Sequence, residues 1–485
     1  MITKKLCTCK KFFMEASTEN FKENVSQAIA DDNLRSALSK LSEGFPAKRL
    51  EAINRLPEFE ALRDQARDIK SHTLQNLDFY LEKFEAQVIK TGGEVHWCRS
   101  AAEARSTILR ISRDAGAQTI TKSKSMIGEE IGINEHLEHH GIQPVETDLG
   151  EYIIQLRKER PSHIIAPAIH LSMEQVADTF RKHHKYLASD RILKKPRVLL
   201  EEARDELRHK FLSADVGLTG VNMLIAETGS IVLVSNEGNA DLTYSLPKTH
   251  IAIASIEKVV PTLEDATTIL RVLARSATGQ DMSVYTTFCT GPKRKNDLDG
   301  PEKFHVVIID NGRSKLLGSE FNDMLMCIRC GACLNHCPVY KAIGGHAYGW
   351  VYSGPMGAAL MPGLIGIEKA RHLPNASTLC GKCEAVCPVK IPLPSLLRSW
   401  RQREFEELKN HTIGFKLLKS WSFLAVRPFL YRLTFTPVIA ILAFLGRKKG
   451  GFRSMPFLYG WAQNRDIPAP EGGTFVARWN RGERS

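Results

Sequence analysis

Seven cysteines, gathered in two runs, limit most severely what this chain can fold around. The first run is Cys327-Ile-Arg-Cys330-Gly-Ala-Cys333-Leu-Asn-His-Cys337-Pro338. The second is Ser377-Thr-Leu-Cys380-Gly-Lys-Cys383-Glu-Ala-Val-Cys387-Pro388. The first reads C-x2-C-x2-C-x3-C-P without a gap, the ligand spacing of bacterial-ferredoxin iron–sulfur clusters. Thiolates at that spacing turn around one corner of a cubane, and the fourth, followed by proline, is carried to a second cluster. The second run repeats the spacing with Ser377 in its first position.

Crossed ligation gives a concrete expectation. Cys327, Cys330, Cys333 and Cys387 hold one 4Fe-4S cluster, and Cys337, Cys380 and Cys383 hold three irons of a second. The fourth iron of the second then takes Ser377, water, another side chain or a substrate, or is missing and leaves a 3Fe-4S cluster. The competing reading is zinc bound by Cys-x2-Cys pairs. Two closed zinc sites need eight ligands, and triplets followed by Cys-Pro are not zinc-ribbon spacing.

The remaining cysteines, Cys7, Cys9, Cys98 and Cys289, are scattered, which excludes a disulfide framework. Clusters require a reducing compartment, so the cytoplasm is expected. Residues 1–13 lack an apolar signal core, and Cys7-x-Cys9 reads as an incidental pair on an extension. The net charge of +12 is concentrated at one end: from residue 391 onward 16 Lys and Arg face 6 Asp and Glu, a net +10. Such a tail suits an acidic partner, an anionic membrane surface or nucleic acid, and equally a solvated basic face.

At 485 residues the chain has room for several domains. Residues 1–65 read as an extension and helical arm, interrupted at Pro46 and Pro57, with Ala61 to Val88 as one long amphipathic helix. Residues 66–312 alternate short apolar runs with helical text, which predicts an α/β domain with a largely parallel sheet. Strands are expected at Val95–Trp97, Thr119–Ile120, Ile142–Val145, His163–Ile165, Ile231–Val234, His250–Ala254 and Phe304–Asp310. Lys122-Ser123-Lys124-Ser125 follows one strand in a position suited to an anion, and Glu227-Thr228-Gly229-Ser230 puts a carboxylate at a loop end. The groups His136/His139/His140 and His183/His184 read as solvated helix faces.

Residues 313–395 read as a helical two-cluster ferredoxin domain, with aromatic and small residues shielding the clusters, and 396–485 as a basic, partly apolar C-terminal region. Within it Ser422 to Leu445 is strongly apolar, but two arginines and two prolines favour a packed or interfacial segment over a membrane span.

The chain resembles the B component of the lactate-utilisation iron–sulfur proteins. The matching text includes Lys124-Ser125-Met126 with Glu129-Glu130, Glu146 through Leu156, Pro161-Ser162-His163-Ile164, Glu227-Thr228-Gly229-Ser230, Asn236-Glu237-Gly238-Asn239 and His346-Ala347-Tyr348-Gly349. It covers nearly everything from about residue 20 onward. The resemblance implies a role in oxidising L-lactate to pyruvate, with a cysteine-rich subunit and a second α/β-domain subunit as partners. It also implies a sugar-isomerase or coenzyme A transferase-like fold for the α/β domain, and no defined catalytic residue there.

Three functions follow, in order. The first is an electron-transfer subunit of a lactate-oxidising complex, with peripheral contact at the inner face of the membrane. The second puts substrate chemistry in the α/β domain, with Lys122 or Lys124 and Glu227 as candidates and the clusters as internal wire. The third, a cluster-based sensor using the basic tail on nucleic acid, lacks a recognition motif, and no nucleic acid is expected as partner.

Overall fold

The computed structural model describes residues 16–185, 187–188, 190–407, 413–447, 450–453 and 466–482, so the Cys7-x-Cys9 pair and residues 1–13 lie outside the described residues. Long apolar β-branched runs produce a six-stranded sheet whose pairings are all parallel. Its strands are β1 (Glu94–Cys98), β2 (Thr119–Lys122), β3 (Gln143–Glu146), β4 (Val216–Gly220), β7 (Thr249–Ser255) and β10 (Lys303–Ile309), in the order β1-β10-β7-β4-β2-β3. Side chains alternate between its faces. Ile251, Ile253, Val307 and Ile309 pack with Ile108 and Ile111 of the helix Ala101–Asp114. Ala252, Ala254, Val306 and Ile308 pack with Leu81, Phe84 and Val88 of the helix Leu77–Lys90. A parallel sheet covered on both faces explains why these strands read as unbroken apolar text.

A smaller sheet stands beside it: β5 (Met223–Ile225), β6 (Ser230–Ser235), β8 (Val259–Val260) and β9 (Tyr285–Cys289), in the order β8-β5-β6-β9. It mixes antiparallel with parallel pairs, and Ile231–Val234 belongs here. The expected strand His163–Ile165 is instead a run of bends, because the His163 ring takes the backbone N–H groups of Ile165 and Ala166.

The amino-terminal helices are also divided differently from the sequence reading. Pro46 sits inside a continuous helix, Asp32–Asn54. The single helix expected from Ala61 to Val88 is two, Phe59–Gln75 and Leu77–Lys90, broken at Asn76, whose side-chain amide donates to the His72 carbonyl. Asparagine competes for backbone partners in this way and so ends helices. Leu38, Phe59, Leu62 and Ala66 of these helices share one core with Met324, Leu334, Tyr340 and Leu397 of the cysteine-bearing region.

That region is helical: short helices at Ala332–Asn335, Pro338–Ile343 and Lys382–Ala385, then Gly354–Ile365 and Leu393–Glu407. Trp400 of the last stacks on Phe321 at 3.6 Å between ring centroids, and its indole N–H donates to the Ala359 carbonyl at 2.8 Å. Gly345 lies where a Cβ would stand 1.7 Å from the Ser162 carbonyl oxygen. Gly345→Ala is therefore expected to cost about 3 kcal/mol by forcing backbone apart, seen as a lowered unfolding midpoint; an unchanged midpoint would contradict this packing.

Residues to Glu407 form one compact unit, and a second begins at Leu408. Within the second, the helices Ile413–Ala425 and Pro428–Gly446 expose Trp421, Phe429, Leu433 and Phe444. Pro428–Gly446 is 19 residues long and runs through Pro437, with a mean hydropathy of 1.7 over its apolar window. It is long and apolar enough to cross a membrane, and within the fold its apolar window is exposed rather than packed.

Candidate iron–sulfur centre

The two cysteine runs fold alike. Arg329 and Leu379 take positive φ of 60° and 54°, and Gly331 and Gly381 follow at 74° and 80°. Left-handed backbone at a non-glycine residue is uncommon and persists where a site demands it. The equivalent helices Ala332–Asn335 and Lys382–Ala385 come next. Each run ends in Cys-Pro, and its last sulfur accepts a backbone N–H: Cys337 Sγ from Tyr340 at 3.5 Å, Cys387 Sγ from Ile391 at 3.4 Å.

Cys327, Cys330, Cys333 and Cys387 line one small cavity with Ile328, Met356 and Val389. Burial, then the neighbouring thiols, pushes Cys330 and Cys333 up, and burial pushes Cys387 up to about 11. Cys337, Cys380 and Cys383 act on one another as a second group; Cys383 is pushed up to about 12 by burial and then by Cys337. Cys380 is exposed, and the Lys382 backbone N–H followed by the Thr378 hydroxyl holds it below the usual thiol range. All seven thiols are free. A convergent, buried, mutually repelling thiolate set fits a cationic iron–sulfur group and not an apolar core. Ser377 precedes Cys380 by three residues, and its hydroxyl accepts the Leu379 N–H at 3.1 Å, closing a local turn.

The amino-terminal helices contribute to this site, which the sequence reading missed. Arg63 donates to the Cys387 carbonyl at 3.0 and 2.7 Å and to that of Ala385 at 2.9 Å, while Arg49 donates to Val386 at 3.0 Å. Arg49 and Arg63 stand on separate helices, Asp32–Asn54 and Phe59–Gln75, and nothing in the sequence links them to the second run.

Beside the first group runs a buried ionic chain. Arg313, wholly buried, forks onto Glu130 at 2.6 and 2.9 Å and reaches Glu257 at 3.1 Å; Arg329 meets Glu257 at 3.1 Å. Tyr352 and Asn311 also donate to Glu130, at 2.6 and 2.7 Å. Burial pushes Glu257 up, but Arg313 and Arg329 outweigh it and hold the carboxyl at about 2. His163 adds a second link, its Nε2 donating to Asn335 at 2.9 Å while Nδ1 accepts backbone N–H groups.

The candidates in the α/β domain separate. Lys122 is buried among Glu146, Glu129 and Glu151 at 2.6, 2.9 and 3.8 Å, so its ammonium fills the place a metal ion would take. Burial, and then the charge of Glu146, pushes the Glu151 carboxyl well above the usual carboxylate range. Glu227 accepts the Leu263 N–H at the start of the helix Leu263–Ala277, a cap. Lys124 alone reaches a cavity of about 300 Å³, beyond the carboxyl ends of β2, β4 and β7. Of the histidine groups, His139 and His140 are exposed, but His184 is buried between the Tyr152 hydroxyl at 2.9 Å and Glu202 at 2.7 Å, contrary to a solvated face. Its helix turns that side toward the core cluster of Phe180 and Tyr152.

Residues 81–309 match the model of the LUD domain, and residues 323–391 that of the 4Fe-4S dicluster domain. Lactate utilization protein B of Lysinibacillus sphaericus is 43% identical over 95% of this chain and 97% of its own length. The chain belongs to the lactate utilization protein B family. Family members from Bacillus subtilis and Bacillus velezensis are 45% and 44% identical over 95% of this chain and 96% and 97% of theirs. A solved DUF162 family protein from Deinococcus radiodurans, 17% identical, covers 48% of this chain and 98% of its own with a TM-score of 0.28, too low to carry an argument. Text shared with the lactate utilization protein B family has visible work in the fold. Ser162 of Pro161-Ser162-His163 accepts the Tyr340 hydroxyl at 2.7 Å, and His346 bonds the Arg160 carbonyl at 2.7 Å.

Proposed function

We propose that this chain is an iron–sulfur electron-transfer subunit in the oxidation of L-lactate to pyruvate. The observation that carries the reading is the convergence of cysteines from both runs on one cavity, in a family named for lactate utilization. In this reading Cys327, Cys330, Cys333 and Cys387 hold one 4Fe-4S cluster, and Cys337, Cys380 and Cys383 hold a second with a non-cysteine fourth ligand. That fourth ligand is Ser377, water or a partner group; the Ser377 hydroxyl accepts the Leu379 N–H, as the sulfurs of Cys337 and Cys387 accept backbone N–H groups. Bound clusters supply single-electron transfer. The chain's own residues hold the thiolates, wall the first set with Ile328, Met356, Val389 and Ile391, and leave Cys380 at the surface where a partner can approach.

The partners in this reading are a cysteine-rich subunit and a second α/β-domain subunit, in the cytoplasm. The exposed apolar helix Pro428–Gly446, with Arg427 and Arg447 at its ends, supports contact with the inner face of the membrane. The test is iron and labile sulfide on anaerobically purified protein, with EPR before and after reduction. About eight irons with signals only after reduction fit two 4Fe-4S clusters, and about seven with a signal in the oxidised state fit one 3Fe-4S. L-lactate is expected to reduce the clusters only when both partner subunits are added. Stoichiometric zinc in place of iron would end the reading, and reduction by lactate of this chain alone would move the chemistry into its α/β domain.

A further inference from the structure

The cavity of about 300 Å³ is charged in an uneven way. Lys124, Lys258 and Arg329 face it, against Asp148 and Glu237. Asp148 spends its charge on the first turn of the helix Leu149–Arg157, accepting the Gly150 and Glu151 N–H groups at 3.0 and 3.2 Å. Burial, followed by the neighbouring Asp148, pushes the Glu237 carboxyl above its ordinary value. Of the cations, Lys124 donates to the Ile165 carbonyl at 2.5 Å, and the other two have less to satisfy them. Lys258 is a partly buried side chain on the cavity wall, and among the described residues its ammonium has no hydrogen-bond or ion-pair partner. Arg329 is nine-tenths buried; Nη2 meets Glu257 at 3.1 Å, but Nη1 is buried without a partner. Leaving buried charged groups unpaired is costly, and an anion entering the cavity removes that cost.

The lining also has an organic side. Ile165, Leu233 and Ala277 line it together with Ser125 and Ser235, and the volume is several times the roughly 30 Å³ share of one water molecule. The location beyond the carboxyl ends of parallel strands is where open α/β sheets take ligands. Arg329, whose guanidinium lies 5.1 Å over the Tyr352 ring, stands between Cys327 and Cys330 in the chain, so the cavity wall and the first cysteine group share a residue.

We propose that this cavity binds a small organic anion, carboxylate or phosphate, clamped by Lys258 and Lys124, and that Arg329 couples its occupancy to the first cysteine group. The coupling rests on the proposed cluster assignment; the anion site does not. The test uses full-length protein purified anaerobically, with iron and sulfide measured on the same sample. Calorimetric titrations with L-lactate, pyruvate and inorganic phosphate are run at matched ionic strength, with EPR of the reduced protein at saturation.

The expected result is saturable binding of at least one anion and a changed EPR signal at saturation. Binding is expected to weaken about tenfold or more in Lys258→Met and in Lys124→Met. It should be unchanged in Lys90→Met, whose side chain is exposed and lines no part of the cavity. Preference for the carboxylates identifies a hydroxy- or oxo-acid site, and preference for phosphate a phosphorylated ligand. Lys124→Met is the safeguard if Lys258→Met fails to fold, since Lys124 is only half-buried. No saturable binding by iron-loaded protein, or binding that both lysine variants retain in full, overturns the anion site while leaving the electron-transfer reading intact. Binding with an unmoved EPR signal overturns the coupling through Arg329. Protein that binds the anion but never holds iron overturns the electron-transfer reading instead.

Discussion

Replacing Cys387 by serine is expected to empty the same site as replacing Cys330, although the two belong to different runs. Both variants should lose about four irons per chain, and the EPR signal left behind should be identical in the two. Cys380→Ser should leave the other signal. The reason is geometric: Cys387 lines the cavity of Cys327, Cys330 and Cys333, and Cys380 does not. Were the ligation uncrossed, Cys387→Ser would match Cys380→Ser, and that pattern would reject the assignment. Burial and exposure add an order to the losses. Cys380 is at the surface and Cys330 and Cys333 are buried, so brief exposure to air is expected to remove the signal of the Cys380 group first.

Arg313→Met is expected to destabilise the protein by about 3–5 kcal/mol, the cost of stripping one partner from a buried ion pair. The guanidinium is wholly buried and serves both Glu130 and Glu257, so its loss strands two carboxylates with no water to receive them. Chemical denaturation of the cluster-loaded protein measures this, as a lower midpoint at unchanged slope. Arg313→Met combined with Glu130→Gln should be less destabilised than the single variant, because one stranded charge is gone. A loss below about 1 kcal/mol in the single variant would mean that solvent reaches the pair. The sign with pH is fixed by Glu257. Its carboxyl is held at about 2 against an ordinary 4.5, so its contribution is complete above about 4.5 and is lost as pH falls toward 2.

The large sheet was legible because β7 and β10 are long, apolar and β-branched, and parallel strands covered on both faces need that text. Of the small sheet β6 was legible at Ile231–Val234, but β5 and β8 were not, because they are three and two residues long and are held by tertiary pairing rather than by pattern. The cysteine spacing announced an iron–sulfur site before any geometry, since few other chemistries use it. Lys122 and Lys124 look equivalent as text. They differ because β2 turns Lys122 into a knot of carboxylates while the following loop releases Lys124 into the cavity. Lys258 and Arg329 had no distinguishing context in the sequence. One follows a strand end, the other is an arbitrary position within a Cys-x2-Cys pair, and only folding sets both on one wall.

The grip of Arg63 on the Cys387 carbonyl spans 324 residues of chain. A ribosome adding about 5–20 residues per second needs roughly 15–65 s to cover that stretch. For that interval the helix Phe59–Gln75 has been made but the loop it clasps has not, and the apolar face carrying Leu62 and Ala66 waits uncovered. The beginning of this protein is thus completed by its later part. In a nascent chain halted before Cys387 that face stays uncovered, and the first cysteine group still lacks its fourth thiol.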